Sequence, residues 1–363
     1  MANGRKYGGC YVSERLYTFL DELKSDYDRI KKDEKFSAEL NELLTGYLGR
    51  PAPLFFAKKF AEYLKGGKIY LKREDLTYTG SAAAVNVLGH VLLACKLGKR
   101  EIITVAADEA EALAAALVGR HLDMNVRIYA VQDFCVSPKI QKSGAQLIVR
   151  KDHTLKDLLN VCFLDWQADP IERYFLPFLP VGPQPLPEIT RDFQSLLGLE
   201  IQELLQDKEK NTPDFILADI SMALGAFYPF LKSQTELIVL EPVQGSDTKT
   251  PLLDGRPGVF QGAYTKFLQH DNGQLKNYLS PCAGLAYPAA PPELAYLQDN
   301  GRITVRKVNQ LDITAAADLF RQTEGIQVSM RSAVVLAELM QLAPTVDREK
   351  ILVGVLHGTE LEN

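Results

Sequence analysis

The sequence predicts an α/β protein built on parallel sheets, and three observations carry that expectation. The first is alternation. Beyond residue 100, short runs of β-branched residues take turns with stretches of helical periodicity, and such an order needs crossover connections between parallel strands. The second is the stretch from Ile69 to Gly98. Ile69 to Asp75 reads as a strand, and Val87, Leu88, Val91, Leu92 and Cys95 recur at three- and four-residue spacing as a helix does. Between them lies the small-residue turn Thr79-Gly80-Ser81-Ala82-Ala83-Ala84, and strand–turn–helix units are where α/β proteins usually hold ligands. The third is the proline-punctuated linker from Val181 to Pro187, which divides the chain into an N-terminal domain, 1–187, and a C-terminal domain, 188–363.

In order, Ser13 caps a helix from Glu14 to Lys32 whose apolar stripe is Leu16, Phe19, Leu20, Leu23, Tyr27 and Ile30. A second helix runs from Asp33 to Leu48 and stops at Gly49-Arg50-Pro51. Strands follow at Glu101–Ala106, Val126–Val131 and Gln146–Arg150. Helices are expected at Asp108–Leu122, Ser137–Lys142 and His153–Trp166, and a long one from Glu188 to Gln206. Phe215–Asp219, Glu236–Glu241 and Ile351–Leu356 are strands of the buried kind.

Composition excludes several classes. A net charge of −5 and a pI of about 5.7 give nucleic acid no basic footprint. The five cysteines, Cys10, Cys95, Cys135, Cys162 and Cys282, form no CxxC or Cys/His cluster, so neither a zinc site nor any other metal is expected. No apolar run is long enough to span a membrane, and Met1 to Gly9 lacks the apolar core of a signal peptide. The reading is a cytoplasmic protein without nucleic-acid or membrane partners.

Lys72-Arg73-Glu74-Asp75-Leu76, Gly80-Ser81 and Asn86-Val87-Leu88-Gly89 resemble the cofactor-lysine turn of the tryptophan synthase beta subunit family, enzymes of pyridoxal phosphate fold type II. Further matches in the same order are Tyr7-Gly8-Gly9 with Tyr11, Gly49-Arg50-Pro51, Thr154-Leu155-Lys156-Asp157 with Asp165-Trp166, Gly182-Pro183, Cys282 to Pro288, and Glu324-Gly325-Ile326. The resemblance implies two parallel-sheet domains, with a mobile, partner-facing subdomain at about 98–178.

The resemblance also implies which positions should carry chemistry, and there the chain departs. Ala83 stands where the family has its Schiff-base lysine, and Tyr78 and Ala82 where it has histidines. Val105 replaces the proton-guiding glutamate, with Asp108, Glu109 and Glu111 in place of an amide-presenting loop. The glycine-rich phosphate loop is shortened to Ile220-Ser221-Met222 after Asp219. Ala286 replaces an aspartate, Arg331 the glutamate beside the cofactor ring, and His357 the serine that bonds the pyridine nitrogen. No lysine lies between Arg73 and Cys95 to substitute. The implied cofactor complement is therefore none.

The first functional expectation is a non-catalytic beta-like subunit. It would form a homodimer, dock an alpha-subunit homologue through Tyr11 and Lys156, and activate or scaffold it in indole-glycerol phosphate cleavage. The alternative is a small-molecule binder or a pyridoxal-independent enzyme using the old cleft, with Tyr78, Asp108, Glu109, Asp219, Arg331 and His357 gathered around one cavity. Residual lyase activity is a third reading.

Overall fold

The structure, a computed structural model, describes residues 6–106, 108–131, 138–151, 153–246 and 248–358. Cys135, Ser137, Thr359 and Glu360 lie outside the described residues.

Twelve strands among the described residues organise the fold: β1 (Leu54–Phe56), β2 (Lys68–Arg73), β3 (Glu101–Ala106), β4 (Asn125–Val131), β5 (Gln146–Arg150), β6 (Arg173–Leu176), β7 (Phe215–Asp219), β8 (Glu236–Val243), β9 (Arg256–Phe260), β10 (Ala263–Phe267), β11 (Thr304–Asn309) and β12 (Ile351–Leu356). A four-stranded parallel sheet, ordered β5-β4-β3-β6, lies wholly between residues 101 and 176. A six-stranded sheet, ordered β1-β2-β12-β7-β8-β11, is parallel except for the edge strand β1. Its strands come from both sides of the proline linker. Residues 351–356 of β12 pair with residues 68–73 of β2, so the last strand of the chain closes onto one of the first. Strands β9 and β10 form a separate antiparallel hairpin.

The central strands of the six-stranded sheet have the sequence signature of strands covered on two faces. Every residue of β7 and β12 is buried, which suits near-continuous apolar runs without the alternation of a half-exposed strand. The helix Ala83–Lys96 is buried along almost its whole length and touches the helices Glu109–His121 and Leu186–Gln194.

Two expectations about helices need correction. Ser13 occupies the N-cap position of the helix Glu14–Ile30, but its side chain accepts no capping hydrogen bond. The next helix, Glu34–Gly46, does have a side-chain cap, with Asp33 accepting from the Lys35 amide. The expected single helix beginning at Glu188 is two, Leu186–Gln194 and Leu196–Glu209, meeting at Ser195. There Ser195 Oγ donates to the Asp192 carbonyl at 2.7 Å, a side-chain bond that competes with regular helix pairing.

Parallel topology fixes where a site can form. Asp219 ends β7, His357 follows β12, and Asp108 lies just past β3. All three stand at carboxyl ends of parallel strands, the position at which α/β sheets open a crevice.

Candidate functional site

The crevice is filled from one helix start. Ser329 caps the helix Met330–Leu342 by accepting from the Ser332 amide, which sets Arg331 in the first turn with its side chain buried. Its guanidinium donates from Nη1 to Asp108 Oδ2 and Glu111 Oε1, both at 2.9 Å. It donates from Nη2 to Ser221 Oγ at 2.5 Å and from Nε to Asp219 Oδ2 at 3.4 Å. Asp219 in turn accepts the Ser221 amide at 2.8 Å and the Ser221 hydroxyl. Asp108 and Glu111 belong to the unit of the four-stranded sheet, and Asp219 and Arg331 to that of the six-stranded sheet, so one guanidinium ties the two units together. Gly284 makes the approach possible: a Cβ there would lie 2.5 Å from Arg331 Nη1 and 2.8 Å from Asp108 Oδ2.

Electrostatics follow from burial and charge. Burial opposes the Arg331 charge, but Asp219, Glu111 and Asp108 outweigh it and raise its pKa. Burial likewise favours a neutral Asp219, yet the Arg331 charge and then the Ser221 hydrogen bonds hold it below the usual range. His357 is pushed down to about 4, first by burial and then by Arg331, so it is neutral at pH 7. Burial lifts the Cys282 thiol to about 12. Three carboxylates therefore share one guanidinium, and His357 adds no positive charge to it.

The turn at residues 77–82 is held by main chain. The Ala82 amide donates to the His357 carbonyl at 2.7 Å, and Thr77 Oγ1 donates to the Glu74 carbonyl at 2.9 Å. Ala82 and Ala83 are both buried. Beside them remains a cavity of about 10 Å3 lined by Ala83, Asn86, Val105, Glu111, Gln194 and Met222, among others. That is room for about one water, and too little for an organic ligand of the kind the alternative reading requires.

A second buried network supports the same turn from beneath. Arg50 chelates Glu200 through Nε at 2.9 Å and Nη2 at 2.7 Å, and also bonds Glu74. Lys72 Nζ, fully buried, bonds the Ala52 carbonyl and Glu200 Oε2, each at 2.5 Å. Desolvation by burial lowers the Lys72 pKa, against the pull of Glu74 and Glu200.

On the opposite flank the chain folds a groove of about 390 Å3. The amides of Gly8 and Tyr11 donate to the carbonyls of Tyr264 and Gly262, laying the N-terminal segment along the β9–β10 hairpin. Gln261 Nε2, at the hairpin tip, donates to the Lys156 carbonyl at 3.0 Å and Asn160 Oδ1 at 2.7 Å, pinning the helix Leu155–Ala168. Tyr11, Leu16, Phe163, Leu164 and Pro183 give the groove apolar walls. Tyr11 and Leu164 are 54% and 67% exposed, an apolar surface of the kind that marks interaction sites. Lys156 stands on the same helix, paired with Asp157 at 2.7 Å.

Of the residues expected around one cavity, the structure brings together Asp108, Asp219, Arg331 and His357. It does not bring Tyr78, which is 61% exposed with its ring packed 5.1 Å from that of Tyr47. Glu109 is half-buried beside the cluster, and Glu111, two residues further on, takes the place expected of it. Val105 lines the cavity, Ile220, Ser221 and Met222 are buried, and Ala286 is half-buried. Sequence reasoning named Asn86 only as part of the turn motif and missed Gln194; both are buried and line the cavity.

The comparisons with known proteins agree with this fold. A family model described as pyridoxal-phosphate dependent enzyme matches residues 46–358. Tryptophan synthase beta chains of Staphylococcus aureus, strains Newman and USA300 among them, are 36% identical over 367 aligned residues, spanning 97% of this chain and 91% of theirs. The chain belongs to the tryptophan synthase beta family of pyridoxal-phosphate dependent enzymes. Among solved structures, a threonine deaminase from T.th. superposes with a TM-score of 0.67 at 17% identity, covering 95% of this chain and 99% of that one. A pyridoxal 5'-phosphate-dependent aspartate racemase gives 0.60 at 15% identity, over 94% and 96%. At such identities the likeness is one of fold.

Family membership implies pyridoxal phosphate, and the residues present do not fit it. An aldehyde cofactor held as an aldimine needs an amine, and a methyl group stands at Ala83. A phosphate needs free amides in a concave nest, but the Ser221 amide is already given to Asp219, whose carboxylate would repel a dianion. The space that remains is about 10 Å3.

Proposed function

We propose that this chain is a non-catalytic member of its family, one that docks an alpha-subunit homologue and activates or scaffolds its cleavage of indole-glycerol phosphate. The observation that carries the reading is a contrast within one molecule. The crevice is closed by the Arg331 cluster, while the apolar groove between Tyr11 and the helix of Lys156 stays open. Docking draws its energy mainly from apolar burial in that groove. Lys156 adds orientation, and it must exchange its present partner Asp157 for a group on the alpha homologue. A homodimer of the family kind, formed through 188–363, completes the assembly as a heterotetramer.

Three measurements test this reading. Purified protein mixed with pyridoxal phosphate should show no protein-bound aldimine band and no borohydride-trapped adduct on any lysine. The cognate alpha homologue should co-elute with the chain, and light scattering should give a homodimer at micromolar concentration. A trapped lysine adduct contradicts the non-catalytic half, and an alpha homologue that elutes alone contradicts the docking half.

A further inference from the structure

The end of the six-stranded sheet away from the crevice holds a second concavity, of about 250 Å3. It lies at the amino ends of β2 and β12, where Lys68 and Ile351 pair. One wall is a face of the helix Lys58–Leu64, on which Lys58, Ala61, Glu62 and the C-cap Lys65 recur at three- and four-residue spacing. The opposing wall is the segment before β12, and a double glycine lets it close in. A Cβ on Gly66 would lie 1.9 Å from the Ala343 carbonyl oxygen, and one on Gly67 would lie 2.7 Å from that of Lys350. The Gly67 and Lys68 amides donate to those same two carbonyls, at 3.2 and 2.8 Å. Main chain thus holds the segment that carries Arg348 against the pocket. Phe56 adds an aromatic side, its ring stacked 5.0 Å from that of Tyr70 and still 39% exposed.

The charge of this lining runs against that of the chain. Lys58, Lys65, Lys68 and Arg348 face the single carboxylate of Glu62, in a protein of net charge −5. Glu62 is drawn to Lys58 at 3.8 Å. Lys68 pairs with Glu209 at 2.8 Å, and reaches Glu349, which is 91% exposed, only at 3.8 Å. Lys65 and Arg348 form no ion pair among the described residues. Lys65 is moreover held at φ +58°, in the left-handed region that glycine enters freely and a lysine does not. Cations converging beside an aromatic wall suit an anion that carries an apolar body. A phosphomonoester offers several acceptor oxygens to separate donors. A polyanion without such a body would use the cations and leave Phe56 idle.

We propose that this pocket binds a small phosphomonoester, its phosphate held by Lys65, Lys68 and Arg348 and its organic part resting on Phe56. The pocket shares no residue with the groove beside Tyr11, and its occupation does not depend on alpha docking.

The test titrates the full chain by calorimetry with phenyl phosphate, beside inorganic phosphate, sodium sulfate and phenol at equal ionic strength. Phenyl phosphate should bind saturably at one site per chain, several-fold tighter than inorganic phosphate or sulfate because its ring covers Phe56. Phenol, without the anion, should not bind. Lys65→Gly removes the ammonium and relieves the left-handed backbone, so it should fold about as stably as the parent. It should nevertheless bind phenyl phosphate about tenfold more weakly, the loss of one charge-assisted hydrogen bond. Arg348→Gln, at an exposed position, should weaken binding to a similar extent. In crystals soaked with phenyl phosphate, the phosphate should lie between Lys65, Lys68 and Arg348. The absence of saturable binding, phenyl phosphate no tighter than sulfate, or an affinity undiminished in either variant would overturn the proposal.

Discussion

Two buried charge networks flank the strand–turn–helix unit, and they differ in balance. Beneath the turn, Arg50 and Lys72 face Glu74 and Glu200, two cations against two carboxylates. In the crevice, one guanidinium, that of Arg331, meets Asp108, Glu111 and Asp219 together. The balanced network uses residues of the Lys72-Arg73-Glu74-Asp75 frame that the chain shares with its family. The acid-rich one is built from Asp108, Glu111, Asp219 and Arg331, positions where the family resemblance leads one to expect other residues. The difference teaches two ways to bury charge: beneath the turn the cations match the carboxylates, while in the crevice one arginine draws carboxylates from both sheet units and joins them.

Removing Arg331 should break that comparison most sharply. Arg331→Met takes the shared cation away from three carboxylates, and destabilisation of roughly 3–5 kcal/mol is expected, read as a lowered urea midpoint. Adding Glu111→Gln and Asp219→Asn to Arg331→Met should recover much of the loss. If the triple variant is no more stable than the single one, the cluster's role is packing and not charge.

A lone buried acid sharpens the contrast between carboxylates with and without a cation beside them. Glu241 is fully buried, accepts the Leu252 amide at 2.9 Å, and has its pKa pushed up to about 7, chiefly by burial. Between about 4.5 and 7 the unfolded chain has released a proton that the folded chain keeps, so stability falls as pH rises through that window. Glu241→Gln should therefore be more stable than the parent at pH 8 by roughly 1–3 kcal/mol, with the advantage gone near pH 4. His357 works in the opposite sense. Its folded pKa of about 4 lies below its ordinary 6.5, so its contribution is present above about 6.5 and is lost as pH falls towards 4.

Restoring the missing amine alone should change little. Ala83→Lys leaves Val105, the Asp219–Ser221 pair and the Arg331 cluster in place, and no turnover of L-serine with indole is expected. Measurable tryptophan formation in that single variant would show the crevice to be closer to a working site than its contents suggest.

How much of this was legible in sequence depends on the range of the interactions. Strand positions came through because β-branched apolar runs are local: β3, β5, β7 and β12 have the expected bounds. The tie between β2 and β12 did not, because nothing local records that residues 68–73 will pair with residues 351–356. The departures at Ala83, Val105, Asp219, Arg331 and His357 were visible through resemblance. Which of them touch was not. Glu111 reaches Arg331 only because Asp108 caps its helix and presents both acids to one side. Tyr78 was expected inward, and its ring packs on Tyr47 at the surface instead.

The smallest expected effect is at the groove. Lys156 is partly exposed and already paired within its own helix turn, so Lys156→Ala should leave stability within about 0.5 kcal/mol. An exposed ion pair is worth about 0–1 kcal/mol, so docking of an alpha homologue should weaken by up to about fivefold. Leu164→Asp, which puts charge on the apolar wall, should weaken docking more than Lys156→Ala does.

The central claim is that this molecule kept the docking groove and gave up the chemistry. The measurement that tests it most directly is indole-glycerol phosphate cleavage by the cognate alpha homologue, assayed with and without this chain and without added pyridoxal phosphate. The account predicts a faster rate or a stable complex in the presence of the chain, diminished by Lys156→Ala and more so by Leu164→Asp. An alpha homologue that neither binds nor changes its rate would contradict it.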